Sequence, residues 1–277
     1  MALRFERPLR SHGAWDHAPA TCGTRGRSDR LIVVRGFLNY LAAIIPGTEV
    51  PGSRVIAAGR RRRPYLFSDD EMATLINAAT RPNRRVPFRP IVLSTLLGLL
   101  ASTGLRVAEA CRLSMVDVRF GDDHPHLQIL QTKFHKSRIV PIHSTVVAAL
   151  TSYLEERRAH ERDTWGDRLF VNRDGRPLDI HDLGAWFTSL CRSLGVEPAN
   201  PHDRRPCLTS FRHTFAVRRL SEWHSAGLHV QSLLPTLAVY LGHVGPESSY
   251  WYLSATPNLL RAAGARFKLD RSAGGER

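Results

Sequence analysis

The sequence predicts a mainly helical (α+β) architecture with one small antiparallel β-sheet. Two observations carry this. Apolar residues recur at steps of three and four through most of the chain, the period of a helix with one buried face. Strand-like runs are few and short and gather around a polar turn, too sparse for a sandwich or a parallel sheet. With 277 residues, 43% hydrophobic and 23% charged, the chain has core material for a small unit joined to a larger one.

Residues 1–28 are rich in Arg, Gly, Thr and His, show no period, and are expected to be irregular. From Asp29 onward Leu31, Val34, Leu38, Leu41 and Ile45 trace one helix face, and Pro46-Gly47 stops it. A single helix cannot bury its own stripe, so residues 29–59 are read as part of a small helical module. Arg60, Arg61, Arg62 and Arg63 run without interruption into Pro64, which marks 60–66 as a basic linker and 67–277 as the main domain. This arginine run is either a solvated surface or a strap along a phosphate backbone.

Ser68-Asp69-Asp70-Glu71 is a capping box, and Met72, Leu75, Ile76 and Ala79 form the buried face of its helix. Ile91–Ser102 is almost wholly apolar, a central helix ending at Thr103-Gly104, and a short helix Arg106–Leu113 follows. Leu127–Leu130 and Ile139–Ile142 read as two strands, and Ser144–Arg158 as a helix with Val147, Leu150 and Leu154 inward. Leu169–Val171, before the turn at Asp174-Gly175, reads as a third strand. Trp186, Phe187, Leu190 and Leu194 mark another helix; Arg212–Trp223, Gln231–Leu241 and a helix from about Asn258 complete the domain.

The excess of 39 Lys+Arg over 25 Asp+Glu leaves +14, a charge that favours a polyanionic partner, most commonly nucleic acid. Arginine dominates, as codons of GC-rich DNA favour. The only lysines are Lys133, Lys136 and Lys268, so two within one short segment stand out. No apolar run reaches the roughly 18–20 residues a bilayer requires. The N-terminus MALRFERPLR lacks a signal's apolar stretch, and Cys22, Cys111, Cys191 and Cys207 form no C-x-x-C pair. Free thiols and a cytoplasmic location are expected.

Five segments could carry chemistry. In Thr103-Gly104-Leu105-Arg106, Arg106 opens a helix beside backbone N–H groups, a place for a phosphate, with Glu109 one turn on to hold it. Lys133-Phe134-His135-Lys136-Ser137-Arg138 tips the hairpin; a lysine there is a proton donor or part of a basic DNA-contacting loop. In Ser210-Phe211-Arg212-His213-Thr214-Phe215, the two Phe side chains are expected to anchor the helix while Arg212 faces away. Leu241-Gly242-His243 aims a polar residue off a helix end, and Tyr252 lies nine residues beyond His243.

From about Tyr65 to the C-terminal helix, these segments in this order resemble the tyrosine recombinases of the phage integrase family. The family pattern is a Gly-Leu-Arg box with a downstream Glu, a hairpin lysine, an Arg-His box, a Leu-Gly-His box and a tyrosine nine residues later. The resemblance implies a recombinase catalytic domain preceded by a partial core-binding segment. It implies that Tyr252 attacks a DNA phosphodiester to form a 3′-phosphotyrosine and release a 5′-hydroxyl. Arg106, Arg212 and His243 then meet charge on the non-bridging oxygens, and Lys133 protonates the departing oxygen. Neither ATP nor metal is called for, and the partners implied are double-stranded DNA sites and further copies of the chain, usually four.

The match has two departures. Three residues before Arg212 the family carries His or Lys, and Thr209 stands here; it can donate to phosphate but cannot shuttle protons near neutral pH. The core-binding helices are expected to be reduced to one helix, which removes phosphate contacts. These departures keep open a catalytically weakened or inactive DNA-binding remnant. Nearby, His202 is read as a loop residue and His213 as structural. His124-Pro125-His126 lacks a third metal ligand, Asp69-Asp70 belongs to a cap and Asp122-Asp123 to a turn, and Tyr250 is a rival nucleophile with the wrong spacing.

Overall fold

The computed structural model describes residues 24–52, 62–82, 86–121, 124–130, 137–160, 165–242 and 252. The chain divides into two units, Met1–Arg62 and Arg63–Arg277.

In the first unit, helix α1 spans Thr24–Ile44. It begins inside the segment expected to be irregular, because a turn made only of polar residues and glycine carries no apolar period to announce it. Val34, expected on the buried face, is exposed, and Arg35 takes the half-buried place between Leu31 and Leu38.

The second unit is built on α3 (Arg89–Thr103), buried along most of its length from Val92 to Thr103. Around it pack α2 (Asp69–Ala79), the short α4 (Val107–Arg112), α5 (Ser144–His160) and α7 (Leu208–Ser225). Helix α6 (Ile180–Ser193) lies against α2 and α4, and α8 (Val230–Leu241) against α7. The Ser68–Glu71 capping box forms at the start of α2 as the sequence requires.

The sheet has three antiparallel strands in the order β1 (Val118–Arg119), β2 (His126–Ile129), β3 (Arg138–Pro141), with Leu127 opposite both Val118 and Val140. Its third strand is therefore β1, and the run Leu169–Val171 expected in that role is a buried connection. Val171 forms an isolated bridge to Pro177 across the Asp174-Gly175 turn, and Leu169 N–H donates to Leu113 O. A turn-flanked apolar triplet signals burial, not a ladder partner. Leu169, Phe170 and Val171 are all fully buried.

The core falls into two clusters, and α7 joins them. Phe211 enters the larger one beside Phe67 and Phe187, while Phe215, Leu220, Leu234 and Leu237 belong to the smaller one with Tyr252. The segment Arg63–Phe67, expected in part as linker, is docked on this body. Arg204 N–H donates to Arg63 O, and Phe67 N–H donates to the Thr214 hydroxyl at 2.9 Å. Among the described residues no helix is long and apolar enough to cross a membrane.

Candidate active site

Two helices end at the same place with the same device. Gly104 closes α3 at φ +62° and Gly242 closes α8 at φ +67°, both in the left-handed region that glycine enters without strain. Neither has room for a side chain. A Cβ on Gly104 would sit 2.6 Å from Cδ1 of Phe215, and one on Gly242 would sit 2.8 Å from Nη1 of Arg138.

Helix C-termini leave carbonyl oxygens unpaired and carry partial negative charge. At the end of α8 three successive carbonyls are taken by three guanidiniums. Arg138 Nε donates to Tyr240 O at 2.8 Å, Arg212 Nη2 to Leu241 O at 2.5 Å, and Arg106 Nη2 to Gly242 O at 2.9 Å. Arg212 also donates to Gly104 O at 2.9 Å, so one side chain ties the ends of α3 and α8 together. The planar fork of arginine suits such a double anchor; a lysine could not span it.

Arg212 is 5% exposed, which corrects the expectation that it faces away from the core. Helix α7 is buried on several sides, and Arg212 lies on one of them. Burial, with the charge of Arg106, lowers the Arg212 pKa to about 10, and it remains a cation at neutral pH.

Glu109 supplies the counter-charge. It is 4% exposed, caps α4, and accepts from the backbone N–H of Arg106 at 3.0 Å and from Arg106 Nη1 at 2.7 Å. Arg138 grips the same carboxylate through Nη2 at 2.8 Å and Nη1 at 3.2 Å. Desolvation pushes the Glu109 pKa up, but the hydrogen bonds and charges of Arg138 and Arg106 outweigh it and hold it at about 2.

Arg138 thus departs from its expected place in a DNA-contacting loop. Its side chain is 10% exposed and its guanidinium is committed to Glu109 and Tyr240 O. Arg106, by contrast, keeps 36% of its side chain exposed, enough for a phosphate to reach it.

Tyr252 is 2% exposed, packed in the smaller core cluster. Its hydroxyl accepts from the Arg212 side chain and lies within electrostatic reach of Arg106. Burial raises its pKa above the ordinary phenol value in spite of both cations. His213, one residue past Arg212, places Nδ1 3.3 Å from the Tyr252 hydroxyl, their rings tilted at 54° with centroids 5.8 Å apart.

The structure therefore brings Arg106, Glu109, Arg212 and Tyr252 together. Thr209 is exposed on the first turn of α7, and Arg62 and Arg63 are exposed where the two units meet in sequence. Lys133, Lys136, His243, Arg60 and Arg61 lie outside the described residues, as do Tyr250, the Asp122-Asp123 pair and the helix expected from Asn258. Sequence reasoning missed the pairing of Arg138 with Glu109 and the contact of His213 with Tyr252. The linear pattern held no signal for the first. The adjacency of His213 to Arg212 was a weak signal for the second. A groove of about 360 Å³ between α2, α3 and α5, lined by Ser94, Thr95, Gly98 and Ser102 among others, contains no titratable side chain and is separate from this site.

Residues 66–258 match the model of the phage integrase family. The chain belongs to that family. The protein y4rB of Sinorhizobium fredii, provisionally named an integrase/recombinase, is 37% identical over 260 residues, which cover 92% of this chain and 82% of that protein. Tyrosine recombinase XerD of Halalkalibacterium halodurans is 28% identical over 217 residues, covering 76% of this chain and 64% of that one. Among solved structures, the XerH site-specific recombinase bound to its palindromic difH substrate superposes with a TM-score of 0.66 at 17% identity, covering 88% of this chain and 68% of that chain. At that identity the likeness speaks for the fold, which is that of a tyrosine recombinase catalytic domain.

Proposed function

We propose that this chain cleaves and rejoins DNA strands at specific sites through a 3′-phosphotyrosyl intermediate on Tyr252. One observation carries the reading: a phenol oxygen and two arginines of the family pattern, Arg106 and Arg212, converge although they are far apart in sequence. Arg106, the exposed member, meets the scissile phosphate first, and Arg212 and His243 share the charge that grows on its non-bridging oxygens. Lys133 gives a proton to the departing 5′-oxygen, and a second strand's 5′-hydroxyl later displaces the tyrosine. Glu109 positions Arg106. Arg60–Arg63 and Lys136 follow the phosphate backbone, and four copies act on two duplexes. One phosphodiester replaces another at each step, so no cofactor enters this scheme.

The test uses end-labelled nicked duplexes, tiled across the genomic DNA flanking the gene and supplemented by a randomised pool. Adducts that survive SDS are expected with the wild type and not with Tyr252→Phe. No adduct from any duplex, or an undiminished one from Tyr252→Phe, overturns the reading.

Thr209, exposed where the family carries His or Lys, favours a second reading as a weakened or inactive DNA-binding remnant. That reading predicts salt-sensitive DNA binding with no covalent product.

A further inference from the structure

We propose that His213 is the general base that removes the proton from the Tyr252 hydroxyl, accepting it on Nδ1. The assignment rests on the reading of Tyr252 as the nucleophile. Nδ1 stands 3.3 Å from the hydroxyl oxygen, close enough for a hydrogen bond that tightens when substrate closes the site. Arg212, which also acts on that oxygen, can only donate. The imidazole nitrogen is an acceptor within reach of the hydroxyl's proton.

The need for a base is physical. Burial keeps the phenol protonated at neutral pH despite Arg212 and Arg106, so the cations alone do not generate phenolate. Thr209 cannot act as the base, because a hydroxyl does not take up protons in this range and its residue is exposed at the first turn of α7. With its proton on Nε2, an imidazole offers Nδ1 as a lone pair. Helix α7 thereby presents two consecutive side chains to one oxygen: Arg212 to stabilise negative charge, His213 to receive the proton.

The step balances. As the Tyr252 oxygen bonds to phosphorus, its proton passes to Nδ1 and the P–O5′ bond breaks. The bond's electron pair stays on O5′, which takes a proton from Lys133. In the rejoining step the imidazolium returns its proton to the phenol oxygen as that oxygen leaves phosphorus, and the attacking 5′-hydroxyl gives its proton back to the lysine.

Single-turnover adduct formation on the nicked duplex pool tests this in full-length protein. His213→Ala is expected to slow the covalent step by about 100-fold or more, with DNA affinity unchanged and partial rescue by added imidazole. His213→Asn, which keeps a hydrogen-bonding group near the Nδ1 position and much of the packing but cannot take a proton, is expected to remain slow. A bridging 5′-sulfur substrate, whose leaving group needs no proton, should rescue Lys133→Ala and leave His213→Ala slow. A wild-type adduct rate in His213→Asn overturns the base assignment alone, as does a His213→Ala defect that imidazole does not relieve. Absence of any wild-type adduct overturns the phosphotyrosyl reading and this assignment with it.

Discussion

Arg138 and Glu109, separated by 29 residues in sequence, form a two-pronged ion pair at 2.8 and 3.2 Å in which the carboxylate is almost wholly buried. Arg106 shares the same carboxylate, so a single negative charge stands between two arginines beside the buried Arg212. Removing it leaves uncompensated like charges. Glu109→Gln is expected to lower unfolding stability by about 3 kcal/mol or more in urea titration. Breaking the exposed Arg218–Asp69 pair, at 3.0 Å, should cost less than about 1 kcal/mol.

The same carboxylate sets an acid limit. The folded pKa of Glu109, at about 2, lies below its unfolded value near 4.5. The stability it contributes is therefore complete above pH 4.5 and is lost as pH falls toward 2. At about 1.4 kcal/mol per unit the loss approaches roughly 3 kcal/mol. Unfolding free energy measured from pH 6 to 2 should fall less steeply in Glu109→Gln than in the wild type.

Gly104 and Gly195 share a left-handed backbone, at φ +62° and +67°, but only Gly104 has a ring against it. Gly195→Ala should cost about 1 kcal/mol from backbone strain alone. Gly104→Ala should cost more, about 2–3 kcal/mol, because Phe215 must move and the Gly104 carbonyl that anchors Arg212 moves with it. Thermal melts of the two variants give the comparison.

Where the chain enters the second unit, the Thr214 hydroxyl accepts from Phe67 N–H. Thr214→Val preserves shape and leaves that buried donor unpaired, an expected loss of about 1–3 kcal/mol in urea titration. Thr214→Ser keeps the acceptor and should lose less.

The helices were legible because each announces itself locally: the Ser68 cap, the apolar run of α3, the glycines that end α3 and α8. The sheet was half legible, since the two-residue strand β1 is too short to show alternation and Leu169–Val171 shows burial without pairing. In the site, Arg106 and Glu109 could be read as a pair because a helix turn places them together. Arg138 and His213 could not, because their partners come from distant elements. The burial of Arg212 was missed for a related reason: what solvates it is the backbone of two helix ends, and carbonyls are the same in every sequence.

The chemistry at Tyr252 is tested most directly by isolating the SDS-stable protein–DNA adduct, digesting both components and locating the attached nucleotide by mass spectrometry. A nucleotide joined through its 3′-phosphate to Tyr252 is expected. A nucleotide on Tyr250 or on any other residue contradicts it.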